Sequence, residues 1–425
     1  MSGNLSGCTD HMDSAVFQKA EEYAGKEKEY HVQSGKHKTG KEGKEEMKIM
    51  VSAEELKRAI AKMKPVIPNR AALKFITCVR IEAKQNMVKL IADGIDKIVS
   101  IDIFGVIMEE GCADFEYSDL KKIANIKDDV TITTSRNGAA EFRSPKKSYT
   151  IPSYDLENDI RHSVILGEHG STEISADILA NLKNLSVMTS KFEKYGIMTC
   201  LYFDLEEGNI VALDRHRIGI QKIKAKKAEP FMITNECVPI LNSLIGKKPE
   251  GNIKVIIDKK YIEFAGEDFC YIQKRTEGNY YKYAKMFKDN YKNSFTVGNK
   301  EIAEVSKEYR RIIPATNMKP MIITMNEDSV CTGVHVAGLR TSDYIESACI
   351  TNQTVKDFYI AVDPQYIIDA CNFIGGDLIV YTDSQKNPMT IKNEDGDKIC
   401  LILPVNFIGD GSPNGLVDYV RQQAG

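Results

Sequence analysis

SAEELKRAIAKM (Ser52–Met63), SADILANLKNLS (Ser175–Ser186) and GNKEIAEVSKEY (Gly298–Tyr309) start at successive intervals of 123 residues, and their reading decides the fold. Each opens on a small or polar residue suited to an N-cap, places acid in the first turn and then sets apolar residues at helical spacing. The apolar sets are Leu56, Ala59, Ile60 and Met63; Ile178, Leu182 and Leu185; and Ile302, Val305, Tyr309 and Ile312. A second helical pattern follows each at nearly constant distance, in Ser118–Ile126, Asn235–Gly246 and Asp363–Gly375. Leu56 to Leu120 is 64 residues, Leu179 to Ile240 is 61 and Ile302 to Ile367 is 65. Two helix registers therefore agree across three copies, each of domain size. The chain reads as an α+β protein of three repeats, each helix–strands–helix–strands.

The 425 residues carry a formal net charge of −3, with 28% charged and 42% hydrophobic residues. That balance fits a soluble protein with several cores. It gives no overall basic excess for nucleic acid. The sequence shows no apolar run of membrane-spanning length and no secretory leader pattern, so no membrane is expected. The ten cysteines are scattered without a CxxC pair, mostly inside apolar patterns. Buried free thiols in a reducing cytoplasm, without structural zinc, are the expectation.

Residues 1–46 are expected to form a disordered polar extension. The Ala24–Glu46 part is repetitive and buries too little to offset its ordering entropy. Its Cys8, His11, His31 and His37 match no familiar metal spacing. The repeats are placed at 47–159, 160–290 and 291–407, with an extension at 408–425. Strand alternation is clearest in Met87–Ala92, Lys97–Phe104, Val130–Thr134, Ala140–Ser144, Ile253–Asp258 and Tyr261–Ala265. Asn137-Gly138 is a hairpin turn.

Beside this reading stands a resemblance. Val211–Ile220 (VALDRHRIGI) is similar to the A-T-D-G-H-R-L-A segment of the β subunit of bacterial DNA polymerase III, the sliding clamp. Ala212, Asp214, His216 and Arg217 match, Arg215 replaces the Gly and Ile218 the Leu. Arg275–Phe287 (RTEGNYYKYAKMF) resembles that family's E-G-R-F-P-D-Y-x-x-x-x-P linker, keeping Glu277, Gly278 and Tyr283. Cys400–Phe407 (CLILPVNF) is similar to its terminal Y-V-V-M-P-M-R-L, keeping Pro404, and Thr382-Asp383-Ser384 is similar to a short family segment. The family's L-P-I-L reads Leu73-Lys74-Phe75-Ile76. With the threefold repeat, the resemblance runs from Met47 to about Phe407.

The resemblance implies the DNA clamp fold and a homodimeric ring. It implies a non-catalytic processivity factor without cofactor or metal, encircling duplex DNA irrespective of sequence. The implied partners are the polymerase III catalytic subunit, the clamp loader and other proteins with a clamp-binding motif. A peptide pocket would be lined by Met198, Ile218, Val238, Leu401, Leu403, Pro404 and Val405, with Arg217, Thr234 and Asn406 at its polar margin. On sequence alone most of these are simply core. The edges joining two chains would be Tyr149 and Ile151 against Ile312 and Ile313. Arg70 matches a family position that reaches DNA. The residues themselves add basic side chains on and beside the repeat helices: Lys57, Arg58, Lys62, Lys121, Lys122, Lys183, Lys300, Lys307 and Arg310. Acids are mixed among them, and a solvated helix face explains them equally well. A ring needs such charge on its lining, touching phosphate without base readout.

Asp214 and His216 keep a second reading open, a metal- or acid/base-dependent nucleic-acid hydrolase. No P-loop, GxSxG, HExxH or carboxylate cluster accompanies them. The extension leaves two fates open as well. Leu416, Val417, Tyr419 and Val420 give it an apolar set that would lie in the peptide pocket and partly occlude it, or the segment is loose or docks elsewhere as a helix.

Overall fold

The computed structural model describes residues 46–156, 167, 170–313, 320–325, 329–336, 339–346, 349–351, 358–405 and 413–423. The polar extension, apart from Glu46, lies outside them, as does the start of the C-terminal extension.

The described helices are α1 (Ala53–Lys62), α2 (Tyr117–Ile123), α3 (Ala176–Ala180), α4 (Leu182–Ser186), α5 (Cys237–Ile245), α6 (Asn299–Ile312), α7 (Pro364–Ile374) and α8 (Pro413–Gln423). The second repeat was expected to start with one helix and instead has two. Asn181 breaks it with φ −96° and ψ 5°, its side-chain amide donating to the Asp177 carbonyl and carboxylate. An Asn side chain competes with the helical backbone in this way. The helices touch in one series, α2–α1–α5, then α3 and α4, then α7 and α6, so a single helical layer passes through all three repeats. Its apolar stripes, such as Leu56, Ala59 and Ile60 of α1, are buried against the sheets.

All strand pairings in the named sheets are antiparallel, and the sheets do not respect the repeats. An eight-stranded sheet runs Gly170–Ser175, Asn252–Ile257, Tyr261–Ala265, Phe269–Lys274, Lys97–Ile103, Met87–Asp93, Cys78–Lys84, Gly111–Glu116. A nine-stranded sheet runs Phe231–Thr234, Cys200–Asp204, Asn209–Leu213, Arg217–Lys222, Lys398–Ile402, Met389–Lys392, Leu378–Thr382, Asn293–Val297, Cys349–Thr351. Two smaller sheets remain. One orders Gly105–Glu109, Lys48–Val51, Val130–Ser135, Ala139–Arg143, Ser148–Pro152, and the other Leu339–Glu346, Ser329–Val336, Met321–Met325, Tyr359–Val362. The strands Gly105–Glu109, Gly111–Glu116 and Phe231–Thr234 were not anticipated. Phe75 and Ile76 fall in a 3-10 turn ahead of Cys78–Lys84. Gly138 at φ 80° closes the expected hairpin.

Each repeat leaves its last strand and folds back over its own outer face, the face turned away from the helices. After Ser148–Pro152, Tyr154 exchanges backbone hydrogen bonds with Asp114 (3.0 and 2.8 Å). Leu156 N–H donates to Asp114 Oδ2 at 3.1 Å. After Phe269–Lys274, Tyr280, Tyr283 and Phe287 cover an apolar patch. After Lys398–Ile402 comes α8, whose Leu416, Val417 and Val420 are buried on Ile322 and Cys331 of the four-stranded sheet. The described part of the extension, α8, therefore docks on this sheet and not in the expected pocket. Pro413 stands at the start of this helix, where its missing N–H costs nothing.

Candidate functional site

Along Asn209–Leu213, Ile210 and Ala212 join the main core while Val211 and Leu213 belong to a separate cluster on the opposite face. Strand alternation sends them there. Ile218, Ile220 and Leu401 complete that cluster with Tyr283, and Met198, Tyr202, Tyr280, Phe287 and Ile399 pack around it. Ile218 pairs directly with Leu401 where the second and third repeats share their sheet. Tyr280 stacks on Tyr202 with centroids 4.5 Å apart. Tyr283 O–H donates to Asp204 Oδ2 at 2.7 Å and accepts from Asn209 Nδ2 at 3.0 Å. Burial pushes both the Tyr280 and Tyr283 phenols well up, so they stay protonated donors.

The segments that assemble this patch also carry exposed apolar side chains: Phe192, Tyr281, Met286 and Leu403. Leu403 is 37% exposed, and its N–H is held by the His216 carbonyl at 2.8 Å. Pro404 and Val405 are half-buried, with Val405 N–H bonded to the Ala361 carbonyl at 2.8 Å. Thr234 is half-buried at the end of its edge strand. Met198, Ile218, Leu401 and their neighbours thus meet in one covered apolar cluster. Val238 does not. It is 3% exposed on the inward side of α5, in the main core, because that helix turns its whole apolar stripe toward the sheets. Asn406 lies outside the described residues.

Arg217 is not a free polar margin either. It is 7% exposed, with Nε donating to Asp214 Oδ2 (3.0 Å), Nη2 to the Val187 carbonyl (2.7 Å) and Nη1 to Asp369 Oδ2. Its guanidinium sits 4.6 Å from the Tyr366 ring centroid. Burial opposes the charge, but the Asp369 hydrogen bond and the Asp214 and Asp369 carboxylates overcome it and hold the pKa above the ordinary value. Arg217 thereby ties the second repeat to α7 of the third. Asp214 also accepts the His216 and Arg217 backbone N–H groups at 2.8 and 3.0 Å. The His216 ring lies against Tyr366, 6.0 Å between centroids. These two residues fix a tight turn and are not arranged as an acid–base pair.

Most of the basic residues picked from sequence are exposed: Lys57, Arg58, Arg70, Lys121, Lys122, Lys183, Lys300, Lys307 and Arg310. All but Arg70 lie on helices of the continuous layer. Lys62 differs. Its side chain is 14% exposed and bonded to Asp268 at 3.0 Å, a carboxylate that Arg58 shares. Lys122 pairs with Asp119 at 2.8 Å.

The four residues picked for chain-to-chain contact separate into two kinds. Tyr149 and Ile151 lie on Ser148–Pro152, the last strand of its sheet. Ile312 and Ile313 end α6 and do not lie on a strand; Ile313 is 5% exposed in the core. The edge near them is Leu339–Glu346, which α6 touches.

Sequence reasoning missed Tyr280 and Phe287 as cover for this patch. The signal was present in Val211-Ala212-Leu213 and Ile218-Gly219-Ile220, which are apolar at both strand parities and so demand cover on both faces. The linker following the second repeat was the available cover.

No family model matches the chain. The chain is 19% identical over 386 residues to the β sliding clamp of Rickettsia bellii, covering 84% of this chain and 99% of that protein. Among solved structures it matches a DNA polymerase III β subunit from Eubacterium rectale at 22% identity and TM-score 0.77, covering 85% and 99% of the two chains. It also matches the Helicobacter pylori β clamp bound to a DNA ligase peptide, at 17% identity and TM-score 0.71, covering 85% and 100%. The fold is the sliding-clamp fold.

Proposed function

We propose that this chain, a divergent relative of the β sliding clamps, is a non-catalytic processivity factor that closes around duplex DNA as two copies. One observation carries the reading. The last strand of the second repeat, Phe269–Lys274, pairs with Lys97–Ile103 of the first, and the last strand of the third, Lys398–Ile402, pairs with Arg217–Lys222 of the second. The remaining members of this scheme are Ser148–Pro152 and Leu339–Glu346. Each ends its sheet without a further strand among the described residues. A second copy completes both pairings, head to tail, and the same geometry repeated closes a ring. On this reading the repeats 47–159, 160–290 and 291–407 are the domains, and the helical layer with its exposed Lys and Arg is the lining that meets phosphate. The apolar patch around Met198, Ile218, Leu401 and Leu403 takes a short peptide of a polymerase or other partner by its apolar anchors, a reading supported by the Helicobacter pylori β clamp having been solved with a DNA ligase peptide bound. A clamp loader and a cytoplasmic location belong to the same reading. Among the described residues no helix is long and apolar enough to cross a membrane.

Retention on DNA tests this. Loaded protein stays on a closed circular duplex and leaves when the circle is cut, and negative-stain images show rings. Equal release from both forms, or particles without a central hole, overturns it.

A further inference from the structure

We propose that α8 is part of the surface that receives a second copy of the chain, bracing the open strand Leu339–Glu346 from its outer face. This rests on the two-copy reading and goes beyond it, since the resemblance ends before this helix.

The two strands equivalent to Leu339–Glu346 are Lys97–Ile103 and Arg217–Lys222, and each has a neighbouring strand on both sides within the chain. Among the described residues Leu339–Glu346 has one, Ser329–Val336, and terminates a sheet of four strands. A lone edge strand of a small sheet is poorly held, and a loosely held edge is a poor template for adding another strand. Here α6 touches that strand on one face, while α8 touches it together with Ser329–Val336 and Met321–Met325. The contact is apolar and closed: Leu416 and Val417 are 3% exposed, Val420 is 1%, and Ile322 and Cys331 beneath them are fully buried. Asp418 and Gln422 face solvent. On the first repeat the returning segment is held by polar contacts, Tyr154 and Leu156 on Asp114. There the outer face carries Arg80, Glu82, Lys89, Ser100 and Asp102, with Arg80 paired to Asp114 and Lys89 to Asp102. That repeat's equivalent strand is already paired on both sides. The second repeat is covered as well, by the linker tyrosines over Val211, Leu213, Ile218 and Leu401, with Arg217–Lys222 paired on both sides; in the third repeat the cover is a helix, and it reaches the strand that ends its sheet among the described residues.

The test uses the full chain, with Val420→Glu and the milder Val420→Ala against the solvent-facing control Gln422→Glu. Sedimentation velocity over a dilution series reads the dissociation constant of the two-copy form. Backbone hydrogen exchange reads Leu339–Glu346. Val420→Glu is expected to weaken association by at least about tenfold and to speed exchange in that strand, with α1 and α5 unchanged. Val420→Ala shifts both in the same direction by less, and Gln422→Glu leaves them alone. Unaltered association and exchange in both Val420 variants overturn the brace while the two-copy reading stands. An unsubstituted chain that is monomeric throughout overturns both.

Discussion

The outer faces of the first and second repeats use equivalent strands and are finished in opposite ways. The first is mostly polar, with ion pairs of Arg80 with Asp114 and Lys89 with Asp102 around Ile91. The second is apolar, with Val211, Leu213, Ile218 and Leu401 under the tyrosines of the following linker. The Arg80–Asp114 pair is buried and satisfied within the chain, and the Lys89–Asp102 pair is partly exposed, whereas an apolar face needs cover and leaves a margin where a partner's apolar side chain can be buried. The difference therefore favours the second repeat as the place of the proposed peptide site, although all three repeats share one plan.

That contrast is broken most severely at Arg217. Arg217→Ala strands Asp214 and Asp369 half-buried without their cation, and the expected loss is about 3–5 kcal/mol in denaturant-induced unfolding. Arg80→Ala on the first face is expected to cost less, because it strands one carboxylate, Asp114, where Arg217→Ala strands two and also frees the Val187 carbonyl. Equal losses would mean that the node joining the second repeat to α7 has no special weight. Next is Tyr283→Phe, which removes an O–H donated to the Asp204 carboxylate in a buried setting. A loss of about 1–3 kcal/mol is expected by the same measurement. A neutral result would show the linker merely rests on the face.

Leu403→Ala is expected to change stability by less than about 0.5 kcal/mol, since the side chain is already exposed. It should nonetheless weaken binding of a labelled clamp-binding peptide, read by fluorescence anisotropy. Unchanged affinity would move the proposed peptide site away from this margin. Arg58→Ala loses surface ion pairs to Asp268 and Glu55 and is expected to cost at most about 1 kcal/mol, judged by thermal unfolding. Replacing Arg70 and Lys122 together by Ala should spare the fold, weaken duplex binding equally across sequences and flatten its salt dependence.

How much of this could be read beforehand follows from what each feature depends on. Helix positions were legible because α1, α6 and α7 each carry an apolar stripe at one period. The join between repeats was not, since strand partners such as Ile218 and Leu401 lie far apart in sequence and no local pattern pairs them. Val238 was misassigned for a related reason: an apolar residue on a helix does not announce which surface it faces. Met198, Ile218 and Leu401 came from the resemblance and do meet. The tyrosines that cover their cluster were quoted in the same linker without being assigned to it. The apolar set of the C-terminal extension was legible, its docking face was not, because Ile322 and Cys331 look like ordinary core positions until the sheet's two faces are separated.

The pairing of Ser148–Pro152 with Leu339–Glu346 of a second copy is the central claim, and light scattering of the intact protein at micromolar concentration addresses it most directly. The account predicts twice the chain mass of 47.6 kDa, falling toward the single value on dilution sooner for Tyr149→Ala than for the unsubstituted chain. A single-chain mass under these conditions, or a double mass whose dilution behaviour Tyr149→Ala does not alter, would contradict it.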